Sequence, residues 1–159
     1  MTAALATEVL ARARAAGLKI ATAESCTGGL VAGALTDIAG SSDVFERGFV
    51  TYSNDAKREL LGVAAATLQA QGAVSEAVAR EMALGALAHS HADLAVATTG
   101  IAGPGGSEFK PEGRVCFGLA AHGTCITETV DFGPLGRAQV RAASVERALQ
   151  LLAGALDQP

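Results

Sequence analysis

The stretch LKIATAESCTGGLVAGALTDI, residues 18–38, decides the fold that we expect. Its first six residues are mostly apolar and lead into turn-forming residues, which is typical of a short buried β-strand. Glu24–Gly29 then forms a turn with two glycines, and Leu30–Ile38 has the pattern of a helix that ends near Gly40. A buried strand, a glycine-containing turn and a helix in succession predict one unit of an α/β protein.

Further strands and helices alternate along the chain on both sides of this unit. His122 and Gly123 form a hairpin signal between the last two strand-like runs. The other predicted elements are helices at 2–16, 55–61, 76–88 and 137–156, and strands at 45–52, 94–98, 115–121 and 124–132. This order predicts a three-layer α/β/α domain with a mixed sheet.

Composition favours a single domain over residues 1–159. Only 18% of the residues are charged and the net charge is −4, so we expect neither a nucleic-acid surface nor a membrane-bound helix. Three cysteines without CxxC spacing, and no visible signal peptide, predict a reduced, cytoplasmic protein. With 35 Ala and 19 Gly, we expect helices that pack closely on small side chains, which is compatible with a homo-oligomer.

Three loops lie where an open α/β sheet binds its ligands, beyond the carboxyl ends of strands. They are Glu24–Gly29, Tyr52–Lys57 and Thr98–Gly106. The glycine-rich loop Gly100–Gly106 matches neither GxGxxG nor a Walker A motif. The histidines and cysteines have no metal-ligand spacing. We therefore predict no dinucleotide, ATP or metal site.

The first of these loops contains two candidate nucleophiles, Ser25 and Cys26. Backbone N–H groups at the start of a helix can stabilise an oxyanion, and Gly28 and Gly29 would allow a substrate to approach closely. A purely structural alternative is that a Ser or Thr side chain caps the helix and the glycines permit tight packing.

The second loop leads to Lys57, one turn into a predicted helix and five residues after Tyr52. Among apolar neighbours the charged form of a lysine is disfavoured, so Lys57 could act as a base for a serine without any histidine. The alternative is an ordinary surface lysine. The chain contains only three lysines, which leaves few other candidates for the base.

The third loop, Thr98–Gly106, combines side-chain hydroxyls with bare backbone that could hold a ribose, a phosphate or an amide. Its alternative is a rigid surface turn. Arg137 and Arg141 lie four residues apart on the last predicted helix. They could clamp a phosphate, or simply pair with Asp or Glu.

Four segments, taken together and in order, resemble the CinA C-terminal domain family. They are TAESCTGG (22–29), FERGFVTYSNDAKRELLGV (45–63), GAVSE (72–76) and TGIAGPGG (99–106). The resemblance implies hydrolysis of the carboxamide of nicotinamide mononucleotide (NMN) to nicotinate mononucleotide and ammonia, in pyridine-nucleotide recycling. It implies no metal and no organic cofactor. Because nothing precedes the domain, we expect the form without the family's N-terminal molybdopterin-binding-like domain.

The same resemblance implies roles for individual residues. Ser25 matches the nucleophile and Lys57 the base, with Tyr52 in the same catalytic site. The implied substrate-binding residues are Thr27, Gly28, Gly29, Thr99, Gly100, Gly103 and Arg137. A competing expectation is a nucleotide-binding or regulatory module that keeps the pocket without turnover.

Two positions depart from the family pattern. The chain has Leu135-Gly136-Arg137 where family members usually carry a Gly-Asp-Arg-like motif, so the acidic neighbour of the arginine is missing. If that Asp orients the arginine, phosphate binding would be weaker. Arg114 stands where a smaller residue is common. Neither departure touches Ser25 or Lys57.

Overall fold

Strands and helices alternate in a computed structural model that describes residues 2–107 and 109–157. Within these residues five strands form one mixed sheet in the order β2-β1-β3-β4-β5. The two neighbours of β1 run parallel to it, whereas β4 is antiparallel to β3 and to β5. The strands are β1 Ile20–Glu24, β2 Phe45–Val50, β3 Leu94–Gly100, β4 Arg114–Ala121 and β5 Thr124–Asp131.

Helices cover both faces of this sheet. The helices are α1 Thr2–Ala16, α2 Leu30–Thr36, α3 Asn54–Leu61, α4 Ala65–Gln71, α5 Glu76–Ala88 and α6 Arg137–Leu156, with a short 3-10 helix at Ser41–Asp43. On one face α1, α2 and α6 pack together, and on the other α5 lies against the strands and carries α3 and α4. The predicted three-layer α/β/α fold with a mixed sheet is confirmed.

Small residues let the layers approach closely. A Cβ atom at Gly118 of β4 would lie 2.5 Å from the Ala79 carbonyl oxygen of α5. A Cβ atom at Gly85 of α5 would lie 2.0 Å from the Leu61 carbonyl oxygen at the end of α3. Neither position can hold a larger residue without a backbone shift, which explains part of the glycine content.

The predicted bounds of α1, α5 and α6 agree with the structure, whereas α4 and the 3-10 helix were not predicted. Helix α4 follows Ala64, whose side chain cannot cap it, so its start carries no sequence signal. Within the described residues, no helix combines the length and apolarity that crossing a bilayer requires. Positions 1, 108, 158 and 159 of the predicted domain lie outside these residues, and the single-domain organisation stays a prediction.

The sheet brings the three predicted loops to one edge. Thr51, just after β2, donates a backbone hydrogen bond of 2.8 Å to the Glu24 carbonyl of β1. Ser25 donates one of 2.9 Å to the Thr98 carbonyl of β3. These two bonds hold the carboxyl ends of three adjacent parallel strands in register, so the residues that follow each strand meet in space.

Candidate functional site

The turn after β1 is shaped by two glycines and a buried carboxylate. Gly28 and Gly29 have φ angles of 58° and 106°, a region that side chains other than glycine rarely adopt. Glu24 is 1% exposed, and its carboxylate accepts hydrogen bonds from the backbone N–H groups of Val31 (2.8 Å) and Ala32 (3.0 Å). The first turn of α2 is therefore capped by Glu24. The expected Ser or Thr cap was wrong, because no side chain at the N-cap makes a capping hydrogen bond. Stabilisation of an oxyanion by N–H groups of the Ser25 turn stays a prediction.

Thr27 belongs to the same buried network. Its hydroxyl donates to the Glu24 carboxylate over 2.5 Å and lies 2.8 Å from the Thr98 hydroxyl. The Thr27 residue is fully buried. Its side chain therefore joins β1 to β3 inside the molecule.

Ser25 and Lys57 are brought together from two neighbouring strands. The Ser25 Oγ atom lies 3.0 Å from Lys57 Nζ, which also donates to the Tyr52 carbonyl oxygen over 3.1 Å. Lys57 is only 1% exposed, so the alternative of an ordinary surface lysine is wrong. It lies on α3, whose start is fixed by Ser53, because the Ser53 Oγ atom accepts from the Ala56 N–H over 3.0 Å.

Cys26, the other candidate nucleophile, is a poor one. Burial raises the pKa of its thiol from the ordinary value of 9.0 to about 12. The thiolate is the reactive form of cysteine, and it is scarce at neutral pH when the pKa is this high. Ser25, with a lysine amine in hydrogen-bond contact, is the better placed nucleophile.

Tyr52 contributes two different groups to the site. Its main-chain carbonyl contacts Lys57, whereas its side chain is 60% exposed and its hydroxyl accepts a 2.9 Å hydrogen bond from Arg137. The sequence motif identified Tyr52 but not the separate contacts of its carbonyl and its side chain. The carbonyl contact depends on the path of the main chain between β2 and α3.

A cleft of about 290 Å³ opens beside the serine–lysine pair. Of the predicted site residues, those that line it are Ser25, Tyr52, Lys57, Thr99, Gly100, Gly103 and Arg137. Thr27, Gly28 and Gly29 do not line it. Asn54, Ala73 and Val74 also lie in the cleft wall, although they were not predicted as site residues. Asn54 lies in the predicted loop Tyr52–Lys57, and the other two lie in the segment GAVSE of the resemblance.

Arg137 and Arg141 contact main-chain and hydroxyl oxygens. Arg137 donates to the Gly103 carbonyl (2.8 Å) as well as to Tyr52, and Arg141 donates to the carbonyls of Cys26 (3.1 Å) and Thr27 (3.3 Å). In the part of the chain that the structure describes, neither pairs with Asp or Glu, so that expectation was wrong. The described residues also contain no group of three or more His, Cys, Asp and Glu side chains suited to a metal ion.

The fold and the site define an α/β protein with a buried serine–lysine pair at the carboxyl edge of its sheet. The chain belongs to the CinA C-terminal domain family, which matches residues 2–156. It is 61% identical over 117 residues to a nicotinamide-nucleotide amidohydrolase PncC of Enterobacter agglomerans, covering 73% of this chain and 71% of that protein. The PncC protein of Escherichia coli strain K12 is 55% identical over 141 residues, which are 87% of this chain and 85% of that one.

Solved structures of the family have the same fold. A competence/damage inducible protein, CihA, from Agrobacterium tumefaciens superposes with a TM-score of 0.95 at 51% identity, covering 99% of this chain and 96% of that one. Relatives named CinA-like protein are much longer: the chain spans 25% of the length of one and 34% of another. The resemblance to the CinA C-terminal domain family found in the sequence is confirmed.

Proposed function

We propose that this chain is an amidohydrolase that converts NMN and water to nicotinate mononucleotide and ammonia. The observation that carries the proposal is the 3.0 Å contact between Ser25 Oγ and the buried Lys57 Nζ at the wall of the cleft. The names of the PncC relatives, nicotinamide-nucleotide amidohydrolase, support the choice of substrate. As part of the same proposal, the protein is cytoplasmic, its partner is a small molecule, and it uses no cofactor.

The first step uses Lys57 as a base. Burial disfavours the charged form of a lysine side chain, so a neutral amine can accept the proton of Ser25. Ser25 Oγ then attacks the carboxamide carbon, and the carbonyl becomes an oxyanion. The Tyr52 carbonyl holds Nζ in line with Ser25 through this transfer.

The second step uses the same lysine as an acid. Lys57 returns its proton to the amide nitrogen, the C–N bond breaks, and ammonia leaves an ester between Ser25 and the nicotinoyl group. Lys57 then takes a proton from water, the hydroxide attacks the ester, and Ser25 leaves with the proton. Atoms and charges balance, and the protein returns to its initial state.

Arg137 is placed for the phosphate of the substrate. Its exposed guanidinium lies at the mouth of the cleft, between Tyr52 and the Gly103 carbonyl. A guanidinium binds phosphate through two parallel hydrogen bonds. We propose that Thr99, Gly100 and Gly103 form the wall against which the nucleotide lies. For Thr27, Gly28 and Gly29 a substrate contact stays a prediction.

The test is to measure ammonia and nicotinate mononucleotide formed from NMN by the wild type, Ser25→Ala and Lys57→Ala. The exposed Lys19 supplies a matched control, Lys19→Ala. We expect wild-type turnover, a loss of about 10²–10⁴-fold in kcat for Lys57→Ala, and no change for Lys19→Ala. Activity that survives in Ser25→Ala would exclude Ser25 as the nucleophile.

The rival function, a binding module without turnover, gives a different result in the same samples. It predicts that NMN raises the melting temperature of the wild type while no ammonia appears. The missing acidic residue before Arg137 is the sequence feature that favours this rival. Thermal shift together with ammonia release separates the two functions.

A further inference from the structure

Arg141 contacts the turn that carries Ser25. Its Nε atom donates to the Cys26 carbonyl over 3.1 Å, and its Nη2 atom donates to the Thr27 carbonyl over 3.3 Å. These are the carbonyls of the two residues that directly follow the serine. The turn itself is closed by a 3.0 Å hydrogen bond from the Gly28 N–H to the Ser25 carbonyl.

Arg141 has a rigid base. It lies on α6, where Val140, Ser144 and Leu149 are fully buried against the rest of the core. A planar guanidinium that donates to two consecutive carbonyls fixes both the distance and the direction of the peptide groups it contacts. Arg141 therefore ties the Ser25 turn to α6, next to the serine whose position relative to Lys57 must be accurate for catalysis.

Gly28 is the residue that permits this contact. A Cβ atom at Gly28 would lie 3.2 Å from Arg141 Nη2, closer than most real Cβ contacts, and its φ of 58° also favours glycine. The second glycine-specific position of the motif, Gly29, faces Val50 instead. The absence of a side chain at Gly28 thus leaves room for the Arg141 guanidinium beside the turn.

We propose that Arg141 is a positioning residue for Ser25 and does not bind the substrate phosphate. This inference rests on the proposed function for its assay but concerns a residue which that function does not use. Without the two hydrogen bonds, the Ser25 turn loses its link to α6 and Oγ drifts from Lys57 Nζ. A misplacement of about 1 Å can cost about 10²-fold in rate.

The first test compares Arg141→Met with Arg137→Met on two substrates, NMN and nicotinamide riboside, which lacks the phosphate. We expect Arg141→Met to lower kcat tenfold or more, up to about 10²-fold, by the same factor on both substrates and with little change in KM. Arg137→Met is expected to raise KM for NMN more than for the riboside. A rise in KM confined to NMN in Arg141→Met would make Arg141 a phosphate ligand and overturn the proposal.

The second test reads Ser25 without the amidase reaction. The rate of labelling by a fluorophosphonate probe measures how well the serine is activated, and Ser25→Ala gives the background. We expect slower labelling in Arg141→Met. Arg141→Lys keeps the charge but lacks the two-pronged guanidinium, so its labelling rate should be intermediate. In Arg141→Ala, added guanidinium ion should restore the labelling rate. Labelling of Arg141→Met at the wild-type rate would overturn the inference.

The two failures can be told apart. If the wild type is labelled but releases no ammonia from either substrate, the proposed function fails and the labelling rates still decide the role of Arg141. Melting temperatures report whether each variant folds. If Arg141→Met does not fold, Arg141→Lys takes its place, and wild-type kcat and labelling in that variant would then contradict the proposal.

Discussion

Ser25 and Cys26 are neighbours in the chain, yet their surroundings give them opposite chemistry. Both residues line the cleft, but Ser25 contacts a lysine amine, whereas burial raises the pKa of the Cys26 thiol to about 12. The sequence alone left the choice between them open, and only the resemblance favoured the serine. Which of two adjacent side chains meets Lys57 depends on the direction of the turn, and that direction follows from contacts with β3 and α6.

The raised pKa of Cys26 predicts a pH-dependent loss of stability. Between its ordinary value of 9.0 and about 12, the folded protein keeps the thiol proton that the unfolded chain releases. The neutral thiol thus stabilises the fold fully below pH 9, and this contribution is lost as the pH rises towards 12. Urea unfolding at pH 8, 9 and 10 should show the wild type losing free energy of unfolding faster than Cys26→Ala. Parallel pH profiles would contradict this account.

Local sequence signals explain which elements were predictable. Helix α3, which was predicted at 55–61, has a serine cap at Ser53 and ends at Gly62 with a φ of 72°, and serine and glycine are the residue types typical of these two positions. Helix α4 has neither a capping side chain nor a charged first turn, and it was missed. Strand order and register were not predicted, because both depend on pairing between residues far apart in sequence. The carboxylate of Glu24 on the first turn of α2 was missed for the same reason.

Two serine caps provide a test of how an element positions the site. Ser53 caps α3, which carries Lys57, and Ser75 caps α5 by the same contact, with the Val78 N–H donating to its hydroxyl. Replacing either with alanine should lower the free energy of unfolding by about 1 kcal/mol. Only Ser53→Ala should also lower kcat, because the first turn of α3 sets the position of Lys57 relative to Ser25. Urea unfolding curves and kcat are measured for both variants. Equal kcat values would mean that the Ser53 cap does not position Lys57 for catalysis.

Close layer packing is a property of the whole molecule. Alanine and glycine content predicted it in general terms, but which glycines are indispensable follows only from the three-dimensional contacts. Gly118 lies under α5 with no space for a side chain, whereas a Cβ atom at Gly154 on α6 would meet no other atom within 4 Å. The homo-oligomer, also suggested by composition, stays a prediction.

These two glycines should respond in opposite directions to the same substitution. Gly118→Ala places a methyl group 2.5 Å from the Ala79 carbonyl oxygen, so we expect a loss of about 1–3 kcal/mol in the free energy of unfolding. Gly154→Ala lies in a helix with open space, and a gain of about 0.4–1 kcal/mol is expected from a less flexible unfolded chain. Thermal melting of the two variants beside the wild type checks both signs. A stable Gly118→Ala variant would mean that α5 can move away from the sheet.

The pairing of β1 with β2 has a consequence for folding kinetics. The Glu24 carbonyl and the Thr51 N–H must meet before Ser25 and Lys57, which are 32 residues apart, can touch. A slip of one residue along β2 would turn its side chains to the opposite face of the sheet and shift the start of α3, which carries Lys57, by about 3.3 Å. The reactivity of Ser25 therefore reports when β1 and β2 have paired during folding. In a refolding experiment, fluorophosphonate labelling should recover later than the far-ultraviolet signal of the helices.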